Sequence, residues 1–319
     1  MSEPQTLMEA IRHFADPDVA LQTMVSLRWP EGVRCPTCGR ADVRFVKTRR
    51  IWECKGDHAK RQFSAKVGTV FEDSPIGLDK WFAAIWMVAN CKNGVSSYEV
   101  ARALGVTQKS GWFMLHRIRL AMQAGSLEKA NGEVEADETF VGGRAKNMHK
   151  AKREKTMKGG RGAVGKAIVM GVLERGRDGE DSRVRARVIQ SVKTAELQGE
   201  VRNAVEPGSR LYTDAATGYR GLSGEYQHAV VDHMVEYVRG RVHTNGLENF
   251  WSLLKRGLRG TYVSVEPYHL PRYLDEQVFR FNARGANDHG RFAGVLSRVA
   301  GLRLTYRDLT GHGAEIAPA

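Results

Sequence analysis

Three acids stand out by type and spacing: Asp137 in "EVEADETFVGG", Asp214 in "RLYTDAATGY" and Glu248 in "HTNGLENFWSLLKRG". They are too far apart to share one element, so each must be delivered by its own strand or helix. Carboxylates gathered in that way are hard oxygen ligands suited to Mg2+ or Mn2+. Phosphoryl transfer on a nucleic acid commonly uses two such ions about 3.5–4 Å apart, one at the attacking and one at the leaving oxygen. Taken singly, each acid reads equally well as a solvated side chain. Together they predict a catalytic, Mg2+-binding set of Asp137, Asp214 and Glu248.

A second group has different chemistry. Cys35 and Cys38 form C-x2-C ahead of Gly39, and Cys54 and His58 form C-x3-H beyond a short hairpin-like segment. Two close pairs joined by a short loop can complete a tetrahedron around a structural Zn2+, replacing a core that so small a module cannot build. The first pair is the sharper signal, because Pro36 and Gly39 shape the tight turn. The competing reading leaves Cys54 as a buried thiol and His58 at the surface. Arg40, Arg44, Lys47, Arg49, Arg50, Lys55, Lys60, Arg61 and Lys66 surround these pairs, with Trp52 and Phe63 interleaved, which suits phosphate contact.

The acids require a rigid sheet to position them. Strand-like patterning covers 133–143, "KAIVMGVLER" (166–175), "VRARVIQ" (184–190), "RLYTD" (210–214) and "EYQHAVVDH" (225–233), with a helix at 194–205 between the third and fourth strands. Asp137 falls in the first strand and Asp214 at the end of the fourth. A late helix carries Glu248: at about 100° per residue, Leu247, Phe250, Trp251, Leu254 and Leu258 share one side, while Asn245, Glu248, Ser252, Lys255 and Arg259 form a polar stripe. A further helix, "HLPRYLDEQVFRFNAR", covers the sheet. This order is that of a ribonuclease-H-like mixed-sheet α/β fold. Glu138 should point to the opposite side of its strand from Asp137. His228, His233 and His243 are expected at most to orient groups or touch phosphate. The basic, glycine-rich "VGGRAKNMHKAKREKTMKGGRG" reads as a loop that orders on DNA.

Upstream, residues 5–28 read as a helical lead-in with Leu7, Ile11, Phe14, Leu21 and Met24 as its apolar positions. "NGVSSYEVARALGVTQKSGWFMLHRIRLAM" reads as two helices: Ser96 or Ser97 caps the first, Gly105 breaks it, and Thr107 caps the second. That is a helix-turn-helix pattern, whose second helix would offer Gln108, Lys109, His116 and Arg117 to DNA. The expected division is a helical lead-in (1–30), zinc ribbon (31–75), helix-turn-helix-like region (76–128), ribonuclease-H-like catalytic domain (129–290) and C-terminal extension (291–319).

Composition agrees with a nucleic-acid partner. The chain has 319 residues, 49 Lys plus Arg against 36 Asp plus Glu, and a formal charge of +13. The longest apolar run, "WFAAIWMVANC", is too short for a membrane span, and the first residues lack a leader pattern, so no membrane association and a cytoplasmic location are expected.

The stretches "VEADETFVGG", "LYTDAATGY" and "HTNGLENFWSLLKRG", preceded by "CPTCG" and "QFSAKVGTVFEDSPI", resemble bacterial insertion-sequence transposases of the ISXO-like group over roughly residues 20–310. The resemblance implies an N-terminal zinc ribbon joined to a DDE-type integrase domain that cleaves DNA and transfers strands, acting on element ends and target DNA as at least a dimer. It matches Asp137 and Asp214 to the two catalytic Asp positions, Glu248 to the third, and Lys255 to the following basic residue, with Arg256 and Arg259 beside it for DNA contact. Some relatives are described as using the Asn of "HTN", which keeps Asn245 as an alternative third ligand. Zinc ligation carries over to Cys35, Cys38 and Cys54; His58 departs from the commoner ribbon Cys. Two rival readings remain: a DNA-binding regulator with an inactive C-terminal domain, and a ribonuclease-H-like nuclease without strand transfer.

Overall fold

The computed structural model describes residues 3–123, 128–142, 165–177, 179–231 and 242–311. The chain divides into two compact units, one containing residues up to 123 together with those from 286 onward, the other spanning 124–285. The segment expected as a C-terminal extension therefore contributes to the first unit.

In that unit, α1 (Leu7–Phe14) is capped by Thr6 and α2 (Pro17–Arg28) by Asp16, with Pro17 at the first helical position, so the lead-in is two helices rather than one. Phe14, Leu21 and Met24 are buried as expected, whereas Ile11 is 43% exposed and Ala10 takes its place inside. Antiparallel strands β1 (Val43–Val46), β2 (Ile51–Cys54) and β3 (Gln62–Phe63) make the ribbon. The apolar helix α3 (Leu78–Asn90) packs Phe82 against Phe14 and Phe292, the latter on α9 (Asp288–Leu296). Helix α4 (Ser97–Leu104) has a full capping box from Ser96 and Glu99, ends at Gly105 with φ 61°, and is followed by α5 (Gln108–Met122), capped by Thr107. Gly111 permits the close crossing of these two helices, since a Cβ there would lie 2.9 Å from the Ser97 carbonyl. His116 and Arg117, expected on the outward side of α5, are buried: the Arg117 guanidinium donates to the carbonyls of Leu304 and Glu72, and its ring neighbour is Phe113. Residues 286–311, ending in α10 (Tyr306–Leu309), supply the cover that turns this face inward. Lys109 stays exposed, its ammonium over the Tyr306 ring.

The second unit is built on a five-stranded mixed sheet in the order β6-β5-β4-β7-β8. Strands β4 (Glu133–Val141), β5 (Ala167–Glu174) and β6 (Arg183–Ile189) run antiparallel as a meander. Helix α6 (Thr194–Ala204) then crosses to β7 (Arg210–Asp214), which pairs parallel with β4, and β8 (Gln227–Val231) adds parallel to β7. One sheet face packs Val134, Ala136, Met170 and Leu211 against Leu197 and Val201 of α6. The other packs Val169 and Leu173 against α7 (Asn245–Gly260) and α8 (Leu270–Asn282). The apolar side predicted for α7, with Leu247, Phe250, Trp251, Leu254 and Leu258, is the side that is buried.

The docking of α7 uses polar chemistry as well. Glu135 is 1% exposed, and its Oε2 accepts from the Leu247 amide at 3.0 Å, supplying from β4 a cap that Thr244 does not make with its own side chain. The charge is balanced by Arg175, which donates to Glu135 at 2.8 Å and to the His243 carbonyl at 2.8 Å, and lies over Tyr212. Glycines make the approach possible. A Cβ on Gly246 would lie 2.9 Å from Glu135 Oε2, and one on Gly171 would lie 2.7 Å from Trp251.

Removing a partner from a buried ion pair costs about 3–5 kcal/mol, because the remaining charge is left uncompensated. Glu135→Ala is therefore expected to destabilise the protein by about that amount in chemical denaturation. Glu135→Gln keeps the shape but can accept only one of the two bonds and leaves Arg175 uncompensated, so it should lose a comparable amount; a Gln variant as stable as wild type would show that the side chain only fills space.

Candidate metal and DNA sites

Asp137 and Asp214 come together through strand register. The β4–β7 ladder pairs Glu133 with Arg210 and Glu135 with Tyr212, so Asp137 is level with Asp214, two residues further along each strand. Strand alternation puts them on the side of Glu135 and Tyr212, which is the side of α7. Trp251 of that helix donates its indole N–H to Asp137 Oδ2 at 2.8 Å. Asp214, the last residue of β7, accepts from the Ala216 amide at 3.0 Å, which fixes the turn that follows.

Burial and neighbouring acids act on Asp137. Burial pushes the Asp137 carboxyl up to about 7; the Trp251 bond opposes this, and the neighbouring Glu138 and Asp214 charges add to it. Glu138 points to the other face, as alternation requires, where Tyr219 donates to it at 2.6 Å; burial likewise raises its carboxyl, with Asp214 contributing. Asp137 and Asp214, on the α7 side of the sheet, are hard oxygen donors of the kind a divalent cation takes.

Helix α7 contributes unevenly. Lys255 is half-buried; burial depresses its ammonium, the Arg259 charge does so further, and Asp137 acts in the opposite sense. Arg256, Arg259, Asn245 and Glu248 are exposed. Glu248 is on the expected polar stripe, one turn before Trp251, but it does not join Asp137 and Asp214 in a tight ligand cluster. Among the described residues, the one such group is elsewhere.

That group is Cys35, Cys38, Cys54 and His58, whose ligand atoms all lie within 4.8 Å of one another. Cys35 Sγ is 3.4 Å from His58 Nε2, and Cys38 Sγ is 3.6 Å from Cys54 Sγ. Gly39, with φ 74°, completes the knuckle, and Cys54 closes β2 opposite Val43. Burial would raise the Cys35 thiol, but the amides of Cys38 and Thr37 and the adjacent thiols bring it down to about 6. His58 Nδ1 is buried without a hydrogen bond while Nε2 faces the sulfurs. Three thiols and an imidazole converging in this way fit Zn2+ with no open coordination position.

Of the histidines, His228 Nε2 is 2.8 Å from Thr213 Oγ1, and burial lowers its pKa; His243 Nδ1 is 2.9 Å from Arg175. His233 and most of the basic loop lie outside the described residues. The sequence reading missed Glu135, Arg175, Tyr219 and the direct part played by Trp251. The only available signal was the alternation that puts Glu135 on the same side as Asp137. A cavity lined by Gly132, Glu133, Arg177, Ser209 and Arg210 opens at the opposite strand ends from the Asp pair. The Asp pair does not line that cavity. Among the described residues, no helix is long and apolar enough to cross a membrane.

Comparison with known proteins agrees with this division. Residues 129–282 match the ISXO2-like transposase domain, and residues 16–56 match the transposase zinc-ribbon domain, a match that ends two residues before His58. An uncharacterized protein in transposable element ISH50 of Halobacterium salinarum is 28% identical over 288 residues, covering 86% of this chain and 95% of its own length. An uncharacterized transposase-like protein of Haemophilus influenzae is 32% identical over 96 residues, or 30% of this chain and 77% of its own length.

The sign of the Asp137 effect is testable. Its folded-state pKa of about 7 is above the ordinary 3.8, so the metal-free folded protein is stabilised by protonation and loses that stability as pH rises from about 4 to about 7. Asp137→Asn removes the penalty. Without divalent ions, its stability relative to wild type should improve by on the order of 2 kcal/mol between pH 4.5 and pH 8, measured by denaturant titration. A difference that does not change with pH would rule out the electrostatic account.

Proposed function

This chain belongs to the ISXO2-like transposase family, and from that premise we propose that it binds the ends of its insertion sequence, cleaves DNA there and joins the freed 3′ ends to target DNA. The observation that carries the reading is the parallel β4–β7 register, which, continued two residues past the Glu135–Tyr212 pair, brings Asp137 level with Asp214, with the Asp137 carboxyl pushed to about 7. The sheet order β6-β5-β4-β7-β8, with α6 crossing between its two halves, is consistent with a ribonuclease-H-like fold. The α4–α5 pair is consistent with a helix-turn-helix in which Lys109, not the enclosed Arg117, faces DNA.

Asp137, Asp214 and Glu248 are the residues that would hold Mg2+ or Mn2+. Glu248 is favoured over Asn245 by charge and by position. It lies about 4.5 Å along the helix axis from Trp251, the residue bonded to Asp137, whereas Asn245 lies about 9 Å away. Bound there, the divalent ions supply positive charge to the attacking and leaving oxygens of the scissile phosphodiester. The Trp251 N–H fixes the orientation of one Asp137 oxygen and leaves the other for coordination. Lys255, one turn beyond Trp251 and electrostatically coupled to Asp137, contacts the DNA phosphate next to the reacting one. Arg256 and Arg259 continue that track along the strand. In the first step water attacks at the element end; in the second the released 3′-OH takes the place of water. Joining two ends requires two active sites, hence at least a dimer on DNA. Cys35, Cys38, Cys54 and His58 hold a structural Zn2+ that keeps the basic ribbon folded for DNA contact.

The test is a joining assay with labelled inverted-repeat ends, a plasmid target and Mg2+. Wild type should give joined products, and Asp214→Ala should lose at least about 100-fold in rate while still retaining DNA. Cleavage without joining would identify a nuclease, and retention without cleavage in either protein would identify a binder. Glu248→Gln and Asn245→Ala, assayed separately, decide the third ligand: loss confined to the Asn245 variant would overturn the Glu248 assignment.

A further inference from the structure

The segment that leaves α7 has an unusual backbone at Val263. Val263 has φ 60°, a region that a β-branched residue rarely occupies, and the Ser264 amide reaches back to the Tyr262 carbonyl at 2.6 Å, closing a three-residue γ-type turn around it. The Val263 side chain is 78% exposed, the most exposed of the large hydrophobics among the described residues. Both neighbours are anchored. The Tyr262 hydroxyl donates to the buried Glu276 and its ring meets Tyr273 edge-on at 4.7 Å, while Val265 packs against the apolar cluster shared by α7 and α8. An apolar, strained residue is thus held outward between two fixed points. Neither its strain nor its exposure helps the fold, and unfavourable backbone of this kind persists where function requires it.

Its surroundings indicate the partner. From Lys255 to Glu266 the chain carries Lys255, Arg256 and Arg259 against the single acid Glu266, and exposed Tyr268 follows. A rigid apolar tip beside a cationic track fits a polyanion with stacked apolar faces, which is DNA, better than another protein surface. We infer that Val263 is a wedge that enters the DNA duplex further along the α7 cationic track from the scissile phosphate and unstacks a base step, opening the element end for the carboxylates. This rests on the transposase reading and adds a step to it: Lys255 and its neighbours hold the phosphates, and the γ-turn separates the bases.

The experiment uses the full chain and a duplex of the inverted repeat flanking its gene, with 2-aminopurine placed in turn at each of the last base positions, in Ca2+. Wild type should raise the fluorescence severalfold at one or two adjacent positions as stacking is lost. Val263→Gly and Val263→Asn, both compatible with the turn, should retain the duplex with an affinity within about threefold of wild type, since the phosphate contacts that dominate affinity are unchanged, and melt no lower than wild type, yet lose the fluorescence rise. In Mg2+ they should cleave an intact end at least tenfold more slowly, and a pre-opened end with mismatched terminal pairs should restore most of the rate. Persistence of the rise in both variants overturns the wedge, as does a variant defect confined to the mass of a protein–protein assembly in light scattering. Failure of wild type to retain the duplex at all overturns the transposase reading itself.

Discussion

The carboxylate of Glu135, enclosed between β4 and the first turn of α7, determines where that helix lies. A helix N-terminus exposes amides that need acceptors, and here one acceptor comes from a strand 112 residues away in sequence. The same strand, two residues on, presents Asp137 to Trp251 of the same helix. Two bonds donated by α7 to carboxylates of β4 therefore fix both the height and the rotation of the helix against the strand. Arg175 prevents the buried charge from disrupting the arrangement by bridging Glu135 to the His243 carbonyl that enters the helix. Everything that α7 offers, from Glu248 to Lys255 and the turn beyond, takes its position from this joint.

The second constraint is register. Parallel pairing of β4 with β7 brings Asp137 level with Asp214 without a bond between them, and the sheet holds them together against their mutual repulsion. Burial raises the proton affinity of Asp137, and the Glu138 and Asp214 charges add to it, while Glu138, on the opposite face, is restrained by Tyr219. The folding energy of the sheet thus maintains a concentration of negative charge that is unfavourable without a counter-ion. The zinc-ribbon cluster follows the same logic with softer ligands: β1–β2 pairing and the Gly39 turn bring thiols closer than they would otherwise approach.

Much of this was legible in the sequence, and the limits have physical reasons. Alternation in "EVEADETFVGG" and the apolar stripe of "HTNGLENFWSLLKRG" identify faces, because burial of one face is a local, periodic demand; both faces are as expected. Periodicity cannot say what covers a face. Arg117 reads as outward on α5, yet it bonds carbonyls 187 and 45 residues away, and no spacing rule anticipates a C-terminal segment lying over it. Glu135 was unreadable for the same reason: on a strand it looks like one more solvated acid until its distant partner, a backbone amide with no side-chain signature, is known. Val263 is ordinary in sequence, since only its dihedral angle distinguishes it.

The most direct measurement of the central claim is anomalous scattering from crystals of the protein soaked in Mn2+, with and without a bound DNA end. The expected result is an Mn2+ peak shared by the Asp137 and Asp214 carboxylates, separate from a zinc peak within Cys35, Cys38, Cys54 and His58, with Glu248 within coordinating distance once DNA is present. Mn2+ peaks absent from the Asp pair, in crystals where the zinc site is filled and DNA is bound, would contradict it.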